Sequence, residues 1–536
     1  MQSKKKDSEK TEKFSKIDFL AIFVLIIFII DLHSFGFFGR TTFPQDPAII
    51  FEGSYRISEG QIPYKDFTIV MGPVIFLMQA FFNLFFGKTF FSMFMHSLFL
   101  SLIISLIFYY FVRREFNIII SFIFSITFYI SFQGLAFHPF YNHSTYFFLF
   151  LNIFLLLYYI DKFLPNHIFL LSSLLAFLDF YTKQDIGSLH IILVFFYFIF
   201  NYKKQWKSIL LFYIIPVFLL VVGTYLAFSA FTDFAYWFNL GQYPHNSRLS
   251  NLRDPMKILE IFNSWEFYIS LLFIFLVLFI VKDGNFSSQT STFSNKSMTK
   301  RENINVIYYS KNNKNKSIMS LFLVIAISSL INRLLTGVTR QVSVISTILL
   351  VFLLSIIIKV EIKEFYKKNK PIFIIIFSLI LIISVNPFPT YGLIAYNYFS
   401  NSISHIDVGC YKGSPILKED LESLNHIRKI IEDNNKSFVS ITHYSFLYCD
   451  YQIEPPKGLP AWFDEGNSFY KINLDSIIKV IINYNPKVIL VQEAHNNEDP
   501  NFNDELIKKF LSKGYKLEEI INQKSTQKPI SVLLKY

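Results

Sequence analysis

One polar stretch, residues 37–89, follows the first long apolar run and concentrates side chains that could do chemistry. Its candidate residues are three of its acids, one arginine and one tyrosine, namely Asp46, Glu52, Asp66, Arg56 and Tyr64. A carboxylate can accept a proton as a general base, and an arginine can hold an anionic group through two parallel hydrogen bonds. Charged groups beside a bundle of apolar helices indicate a functional site.

Each of these residues also has a purely structural interpretation. Asp46 precedes the helix-like run PAIIFEGSYRI and could cap that helix, alone or while serving as a base. Asp66 follows a Pro-Tyr pair and could accept hydrogen bonds in a turn. Glu52 and Arg56 are one helical turn apart, which favours a local ion pair over a catalytic role.

A second set of candidates lies where later apolar runs are predicted to end. The set comprises cationic and polar residues that suit a phosphate or a sugar: Lys183, Gln184, Arg340, His138, Asn142 and His143. Lys183 could bind a phosphate or extend to the membrane interface, and Arg340 has the same two alternatives. The two histidines could contact a sugar or phosphate, bind metal or serve a structural role, but no spacing supplies a third metal ligand.

The elements that must position these residues are membrane-spanning helices. The chain has 536 residues, of which 52% are hydrophobic and 17% charged, a composition that excludes an ordinary soluble protein. Apolar runs of spanning length predict eleven helices: 17–36, 90–112, 117–132, 144–160, 167–181, 188–201, 208–229, 266–281, 317–332, 342–358 and 371–388. Segment 73–86 is shorter, and we predict that it lies in the interface or is half-buried.

The net charge of +11 does not indicate nucleic-acid binding, because Lys and Arg occupy short loops between apolar runs. With the N-terminus inside, the cytoplasmic pieces hold 24 Lys and Arg within 79 residues, against 10 within 115 in the opposite pieces. This asymmetry predicts a cytoplasmic N-terminal tail, 1–16, and a cytoplasmic linker, 282–316. It places residues 37–89, called the first outer loop below, on the opposite side.

The composition changes near residue 390, after the predicted membrane domain 17–389. Short apolar strands then alternate with amphipathic helices, which predicts a small extracytoplasmic α/β domain over 390–536. The fold class is therefore an α-helical polytopic membrane protein with one α/β domain. Cys410 and Cys449 would occupy an oxidising compartment, where they could form a disulfide.

An ordered set of motifs carries a family resemblance. Asp46 is followed by ISEGQIPYKDF at residues 57–67, then by Gly72-Pro73, and a later span ends near TKQDIG at 182–187. This order resembles the GT-C superfamily of membrane glycosyltransferases, whose relatives include protein O-mannosyltransferases and lipid A aminoarabinose transferases. The motif covers about 30 residues, and the topology agrees over most of the chain. Pro47 stands where many relatives have Glu, which puts in doubt any role of a second carboxylate there.

The resemblance implies an inverting sugar transfer from a polyprenyl-phosphate donor to a lipid, glycan or protein of the cell envelope. The reaction would take place at the outer face of the cytoplasmic (inner) membrane, with no nucleic acid involved. Asp46 would be the base, Glu52 and Asp66 the nearest other acids, and Lys183 and Arg340 would lie near the lipid phosphate. The resemblance implies no certain cofactor and leaves open whether a divalent metal ion takes part.

Two other classes of function remain as alternatives. One is a polymerase or ligase of envelope polysaccharide, which would depend on Arg and His in a large late loop. The other is a transporter or scaffold. A transporter should carry ionisable residues in the middle of its spans, and Asp179 is the one acid well inside an apolar run. The long acidic first outer loop favours the glycosyltransferase.

Overall fold

A computed structural model describes most of the chain outside one long central segment. The described residues are 15–39, 46–69, 71–133, 137–159, 164–239, 402–463, 468–469, 471–492, 502–524 and 528–536.

The N-terminal part is helical. Its helices are α1 (Lys16–Gly39), α2 (Asp46–Ser58), α3 (Val74–Phe86), α4 (Phe90–Glu115), α5 (Ile118–Gln133), α6 (Tyr141–Tyr158), α7 (Asn166–Phe180), α8 (Gln184–Tyr202), α9 (Trp206–Ile209), α10 (Ile215–Phe231) and α11 (Phe234–Asn239). A helix bonds all its backbone groups internally, which a span in hydrocarbon requires.

Each of the first seven predicted spans falls on a helix. Within the part of the chain that the structure describes, three helical stretches are long and apolar enough to cross a membrane, namely Lys16–Gly39, Phe90–Arg114 and Gln184–Phe231. The predicted spans 266–281, 317–332, 342–358 and 371–388 lie outside the described residues. The count of eleven therefore stays a prediction.

The stretch Gln184–Phe231 contains two predicted spans and turns back on itself at a 3₁₀ turn, Lys203–Gln205. The Tyr213 hydroxyl donates to the Ile191 carbonyl at 2.9 Å. A straight helix would separate residues 22 positions apart by about 33 Å. The stretch is therefore a helical hairpin, as the basic segment 202–207 predicts.

Helix α3 has two unlike faces. Ile75, Phe76 and Gln79 are buried against the rest of the protein, whereas Leu84 and Phe85 are 79% and 68% exposed. A short helix with an exposed apolar face is typical of an element in the membrane interface. The contacts are those expected of a half-buried segment.

The C-terminal part combines strands with helices. A sheet in the order β4-β6-β8-β7 comprises β4 (Phe438–Ile441), β6 (Val488–Gln492), β7 (Tyr515–Ile521) and β8 (Ile530–Lys535). Its helices are α12 (Lys418–Asp433), α13 (Leu447–Asp450), α14 (Lys471–Tyr484) and α15 (Phe502–Leu511). Three of the four strands and the three longer helices coincide with elements that alternating hydropathy predicts, but β7 does not.

Two short strand pairs complete the description of these residues. Strand β2 (Ile403–His405) pairs with β3 (Pro415–Leu417). Strand β1 (Phe67–Thr68), in the first outer loop, pairs in parallel with β5 (Leu459–Pro460). Hydrogen bonds thus join the two parts of the chain, and the predicted domain boundary at 390 lies outside the described residues.

The two cysteines form a disulfide, Cys410–Cys449, which the sequence left as an open pairing. It links the loop between β2 and β3 to α13, and both contact the residues where α4 begins. The Phe90 amide donates to the Cys410 carbonyl at 2.8 Å, and Cys449 Sγ lies 3.4 Å from the Lys88 carbonyl oxygen. The cross-link therefore lies where the C-terminal part contacts the helices.

Candidate functional site

Helix α2 carries two acids of the first outer loop, Asp46 and Glu52, and begins at Asp46, the candidate base. The side chain of Asp46 is outside the described part of the structure. Its roles as helix cap and as base therefore both stay predictions.

Buried amides and hydroxyls hold α2 against α3 and α4. Asn83 Nδ2 on α3 donates to Ser54 Oγ on α2 at 3.3 Å. Asn83 Oδ1 accepts from Gln79 at 2.9 Å and from Ser92 on α4 at 2.6 Å. Because buried polar groups are costly unless hydrogen-bonded, this network favours a single packing position of α2 against α3 and α4.

Glu52 and Arg56 form the ion pair that their spacing predicts. Arg56 Nε donates to Glu52 Oε1 at 2.7 Å, and both side chains are only 1% exposed. Burial raises the pKa of the Glu52 carboxyl from 4.5 to about 7, although the charge and hydrogen bond of Arg56 act in the opposite direction. Glu52 Oε2 has no hydrogen-bond partner among the described residues.

Asp66 acts in a turn, as its structural interpretation predicts. Its Oδ2 accepts from the Ile62 amide at 2.9 Å, and Lys457 Nζ lies 3.8 Å from Oδ1. Tyr64 has a φ of 64°, an uncommon value for a residue other than glycine. Its buried hydroxyl donates to the Met71 carbonyl at 2.5 Å. These contacts shape the loop, and a substrate role for either residue stays a prediction.

The Gly72-Pro73 motif brings the first outer loop against the turn between α7 and α8. The Val74 amide donates to the Tyr181 carbonyl at 3.1 Å. A Cβ atom at Gly72 would lie only 1.8 Å from that carbonyl oxygen, so the approach requires glycine. Tyr181 is two residues before Lys183. The two sequence patches of the resemblance therefore meet in space.

Lys183 is buried at this turn, immediately before α8. Its Nζ donates to Asn142 Oδ1 at 2.8 Å and lies 5.2 Å from the centre of the Tyr141 ring. Asp185 Oδ2 is 3.7 Å away, farther than a hydrogen bond. The structure thus brings two predicted residues, Lys183 and Asn142, into direct contact.

The two histidines lie near the start of α6. His143 Nε2 is 3.3 Å from the Gln133 carbonyl oxygen, while its Nδ1 has no hydrogen-bond partner in the described structure. His138 is buried and packs edge-on against Phe140 at 6.0 Å. The described residues contain no group of three His, Cys, Asp or Glu that could hold a metal ion.

Of the remaining two candidates, the structure describes Gln184 but not Arg340. Gln184 Nε2, at the first residue of α8, donates to the Phe238 carbonyl at 3.1 Å. That contact ties the α7–α8 turn to α11. Arg340 lies outside the described residues, and its phosphate role stays a prediction.

A buried polar cluster inside the helices was not among the predicted site residues. Asp179 Oδ2 lies 2.6 Å from His190 Nδ1, and His190 Nε2 lies 2.8 Å from Asn152 Nδ2. Ser172 completes the cluster by donating to Asn152 Oδ1 at 2.8 Å. The isolated acid in an apolar run was the sequence signal, but the identity of its partner depends on how α6, α7 and α8 pack.

Comparisons with known proteins gave no match by sequence. No protein-family model matches the chain. No curated protein matches it either.

Solved structures do resemble it. One is the oligosaccharyltransferase of Archaeoglobus fulgidus with zinc and sulfate, at 12% identity and a TM-score of 0.47, covering 88% of this chain and 68% of that one. Another is ArnT from Cupriavidus metallidurans bound to undecaprenyl phosphate, at 9% identity and a TM-score of 0.47, covering 97% of this chain and 98% of that one. At these values the likeness carries no argument about chemistry. Both are members of the GT-C superfamily, which the sequence motifs also resemble.

Proposed function

We propose that this protein is a GT-C-type glycosyltransferase that moves a sugar, with inversion, from a polyprenyl-phosphate donor to an acceptor of the cell envelope. It would work at the outer face of the cytoplasmic membrane. The observation that carries the proposal is the contact of the first outer loop with the α7–α8 turn at Gly72 and Tyr181. That contact brings the loop of the candidate base towards a buried lysine.

Lys183 is suited to the leaving phosphate. Its side chain is 7% exposed, and the facing carboxylate of Asp185 stands 3.7 Å away. A buried ammonium is costly unless counter-charge and hydrogen bonds surround it. A phosphate oxygen would add that counter-charge, and the adjacent amino end of α8 favours anions. Fixed positive charge at the place where a leaving group becomes negative stabilises the transition state.

Asp46 would supply the base. The acceptor hydroxyl gives its proton to the Asp46 carboxylate while its oxygen bonds to the anomeric carbon of the sugar. The bond from that carbon to the phosphate oxygen breaks, and the polyprenyl phosphate leaves with the electron pair. Helix α2 supports this role by beginning at Asp46 and by its hydrogen-bonded seat on α3 and α4.

The orientation rests on charge asymmetry and is supported by the disulfide. Basic residues are about threefold denser in the pieces predicted to be cytoplasmic. Disulfides persist in oxidising compartments, so Cys410–Cys449 favours an extracytoplasmic C-terminal part. Labelling of intact cells with a membrane-impermeant thiol reagent should modify a cysteine placed at residue 520 and spare one at 295. The reverse pattern would overturn the orientation.

The experiment on the reaction has two arms. Mass spectrometry of envelope lipids, glycans and proteins from cells with and without the protein should show the loss of one sugar. The purified protein, given undecaprenyl-phosphate sugars and the acceptor so identified, should release undecaprenyl phosphate. Asp46→Asn should lower that rate by roughly 10²–10⁴, because Asn caps a helix about as well as Asp but is no base.

Asp233→Asn is the matched control, since Asp233 is exposed in the turn before α11 and bears the same change. It should retain the wild-type rate. An Asp46→Asn protein that is folded and works within a few-fold of wild type would show that Asp46 is only a cap. An unchanged envelope and no transfer by the wild type would overturn the proposed function.

A further inference from the structure

A segment of the C-terminal part, residues 453–461, lies along the first outer loop and is called the clasp here. The side chains of α2 and of the residues just after it reach its backbone carbonyls. The Tyr55 hydroxyl donates to the Ile453 carbonyl at 3.2 Å, and Gln61 Nε2 donates to the Pro455 carbonyl at 2.7 Å. Arg56 Nη1 donates to the Pro456 carbonyl at 3.0 Å.

Backbone pairing continues the same contact beyond α2. The Gly458 amide donates to the Asp66 carbonyl at 2.6 Å, and the Ala461 amide donates to the Thr68 carbonyl at 3.0 Å. Between them β5 pairs with β1. The clasp therefore follows the loop from the last turns of α2 to the segment that leads to Gly72.

Arg56 is the centre of this contact. One guanidinium reaches Glu52 through Nε at 2.7 Å, and through Nη1 reaches both Gln61 Oε1 at 3.1 Å and the Pro456 carbonyl. Only a planar group with several fixed donors can serve these acceptors together, and a lysine ammonium is a single point charge. Its burial means that water cannot replace a lost partner.

We propose that Arg56 is a positioning residue of the transfer reaction, because it sets α2, and with it Asp46, relative to the clasp. The inference rests on the proposed function. Asp46 and Arg56 are ten residues apart on one helix, about 15 Å along its axis. A rigid helix held at its carboxyl end by the clasp and at its side by α3 keeps its first residue in place. The C-terminal part is then a component of the catalytic unit and not a separate module.

The test separates positioning from simple stabilisation. Transfer kinetics with the lipid-linked donor are measured for Arg56→Gln, for Arg56→Lys, and for the double variant Glu52→Gln/Arg56→Gln. The double variant leaves no buried charge without its partner, so it is the one expected to fold well. Lys88→Gln is the matched control, because it removes the exposed pair with Glu59 in the turn just after the same helix.

Positioning predicts that kcat falls by about tenfold or more in Arg56→Gln and in the double variant, with KM for the donor within about twofold of wild type. Arg56→Lys should restore part of kcat. Hydrogen exchange at the Gly458 and Ala461 amides should quicken in the same variants. Lys88→Gln should match wild type in all three measurements.

A folded double variant with wild-type kcat would overturn the inference while leaving the proposed function intact. The inference would also be overturned if kcat stayed at the wild-type value and a rise in KM for the donor accounted for the whole loss of kcat/KM. Arg56 would then act on donor binding. Unchanged exchange at Gly458 and Ala461 would show that Arg56 does not hold the clasp, with the same consequence. A wild-type protein without transfer activity would remove the proposed function, and the inference with it.

Discussion

Two buried acid–base pairs, Glu52–Arg56 in the first outer loop and Asp179–His190 among the helices, look alike but have different surroundings. In each pair one carboxylate oxygen has a close partner, at 2.7 and 2.6 Å, and the second oxygen has none among the described residues. The Asp179 pair closes within three adjacent helices through Asn152. The Glu52 pair reaches Pro456, 400 positions later in the chain.

The difference teaches that burial and pairing alone do not reveal what a charged pair does. A pair enclosed within one bundle fixes how neighbouring helices pack. A pair whose cation also holds a distant backbone carbonyl connects two parts of the molecule. Replacing both partners by neutral residues should therefore leave the transfer activity unchanged at Asp179–His190 and lower it at Glu52–Arg56.

The largest effect on stability is expected from breaking the pair among the helices. His190→Leu leaves the Asp179 carboxyl buried without its partner and should lower the free energy of unfolding by about 3–5 kcal/mol. Replacing both residues by Leu should recover most of that loss, with transfer activity kept. Thermal unfolding in detergent, together with the transfer rate, measures both effects. A double variant that is folded but inactive would show that this pair takes part in the reaction, and the contrast with Glu52–Arg56 would fail.

Removal of the disulfide should loosen the clasp and leave the helices around Asp179 and His190 unchanged. Cys410→Ser/Cys449→Ser frees a loop with a sequence separation of 39 residues, which is worth roughly 3–4 kcal/mol in the chain-entropy model. Amide exchange at Gly458 and Ala461 should quicken, whereas amides of α7 and α8 should keep their protection. Equal loss of protection in both regions would mean that the two parts unfold as one unit.

The pair beside the clasp should also make the stability of the protein depend on pH, through Glu52. The pKa of Glu52 is about 7 in the folded protein, against 4.5 for a glutamate exposed to water, because burial disfavours the charged form. The folded protein thus holds a proton that the unfolded chain releases. Stability from this group is full below about pH 4.5 and is lost as the pH rises to about 7.

Glu52→Gln should remove that decline, so the difference in unfolding temperature between variant and wild type should change across this pH window. Glu59→Gln, an exposed change in the turn just after the same helix, should keep the wild-type slope. Parallel curves for wild type and Glu52→Gln would show that Glu52 does not titrate there.

The smallest effect is expected at the exposed pair Lys88–Glu59, where the charges are 2.5 Å apart and the side chains 38% and 29% exposed. Lys88→Gln should cost about 0–1 kcal/mol, because solvent and salt screen such pairs. Thermal unfolding at two salt concentrations measures it. A loss as large as that of His190→Leu would mean that exposure does not separate strong pairs from weak ones in this protein.

Much of the helical part could be predicted from hydropathy, because a chain in hydrocarbon has to bond its backbone groups within each helix. The Glu52–Arg56 pair could be predicted too, because residues four apart face each other on any helix. Strand β7, YKLEEII, could not. Its charged residues do not alternate cleanly with apolar ones, and it becomes a strand because β8 offers it a hydrogen-bonding edge.

The site could be predicted in part. Lys183 and Asn142 were both assigned to outer helix ends, and the structure adds that they touch. The contact of Gly72 with the Tyr181 carbonyl explains in steric terms why glycine occupies that motif position. Nothing in the spacing indicated that Pro456 would accept a hydrogen bond from Arg56. Its carbonyl belongs to the backbone, which has the same chemistry at every position.

The sequence alone specified the properties that arise from neighbours along the chain: the positions of the described helices, the alternation of strands and helices, and the ion pair between residues four apart. Tertiary structure alone decided the contacts between residues far apart: the partner of Asp179, the cross-link of Cys410 to Cys449, and the clasp over α2. Local properties depend on short-range periodicity, which sequence displays directly. Long-range contacts depend on how whole helices and loops pack, and many packings are compatible with the same local pattern.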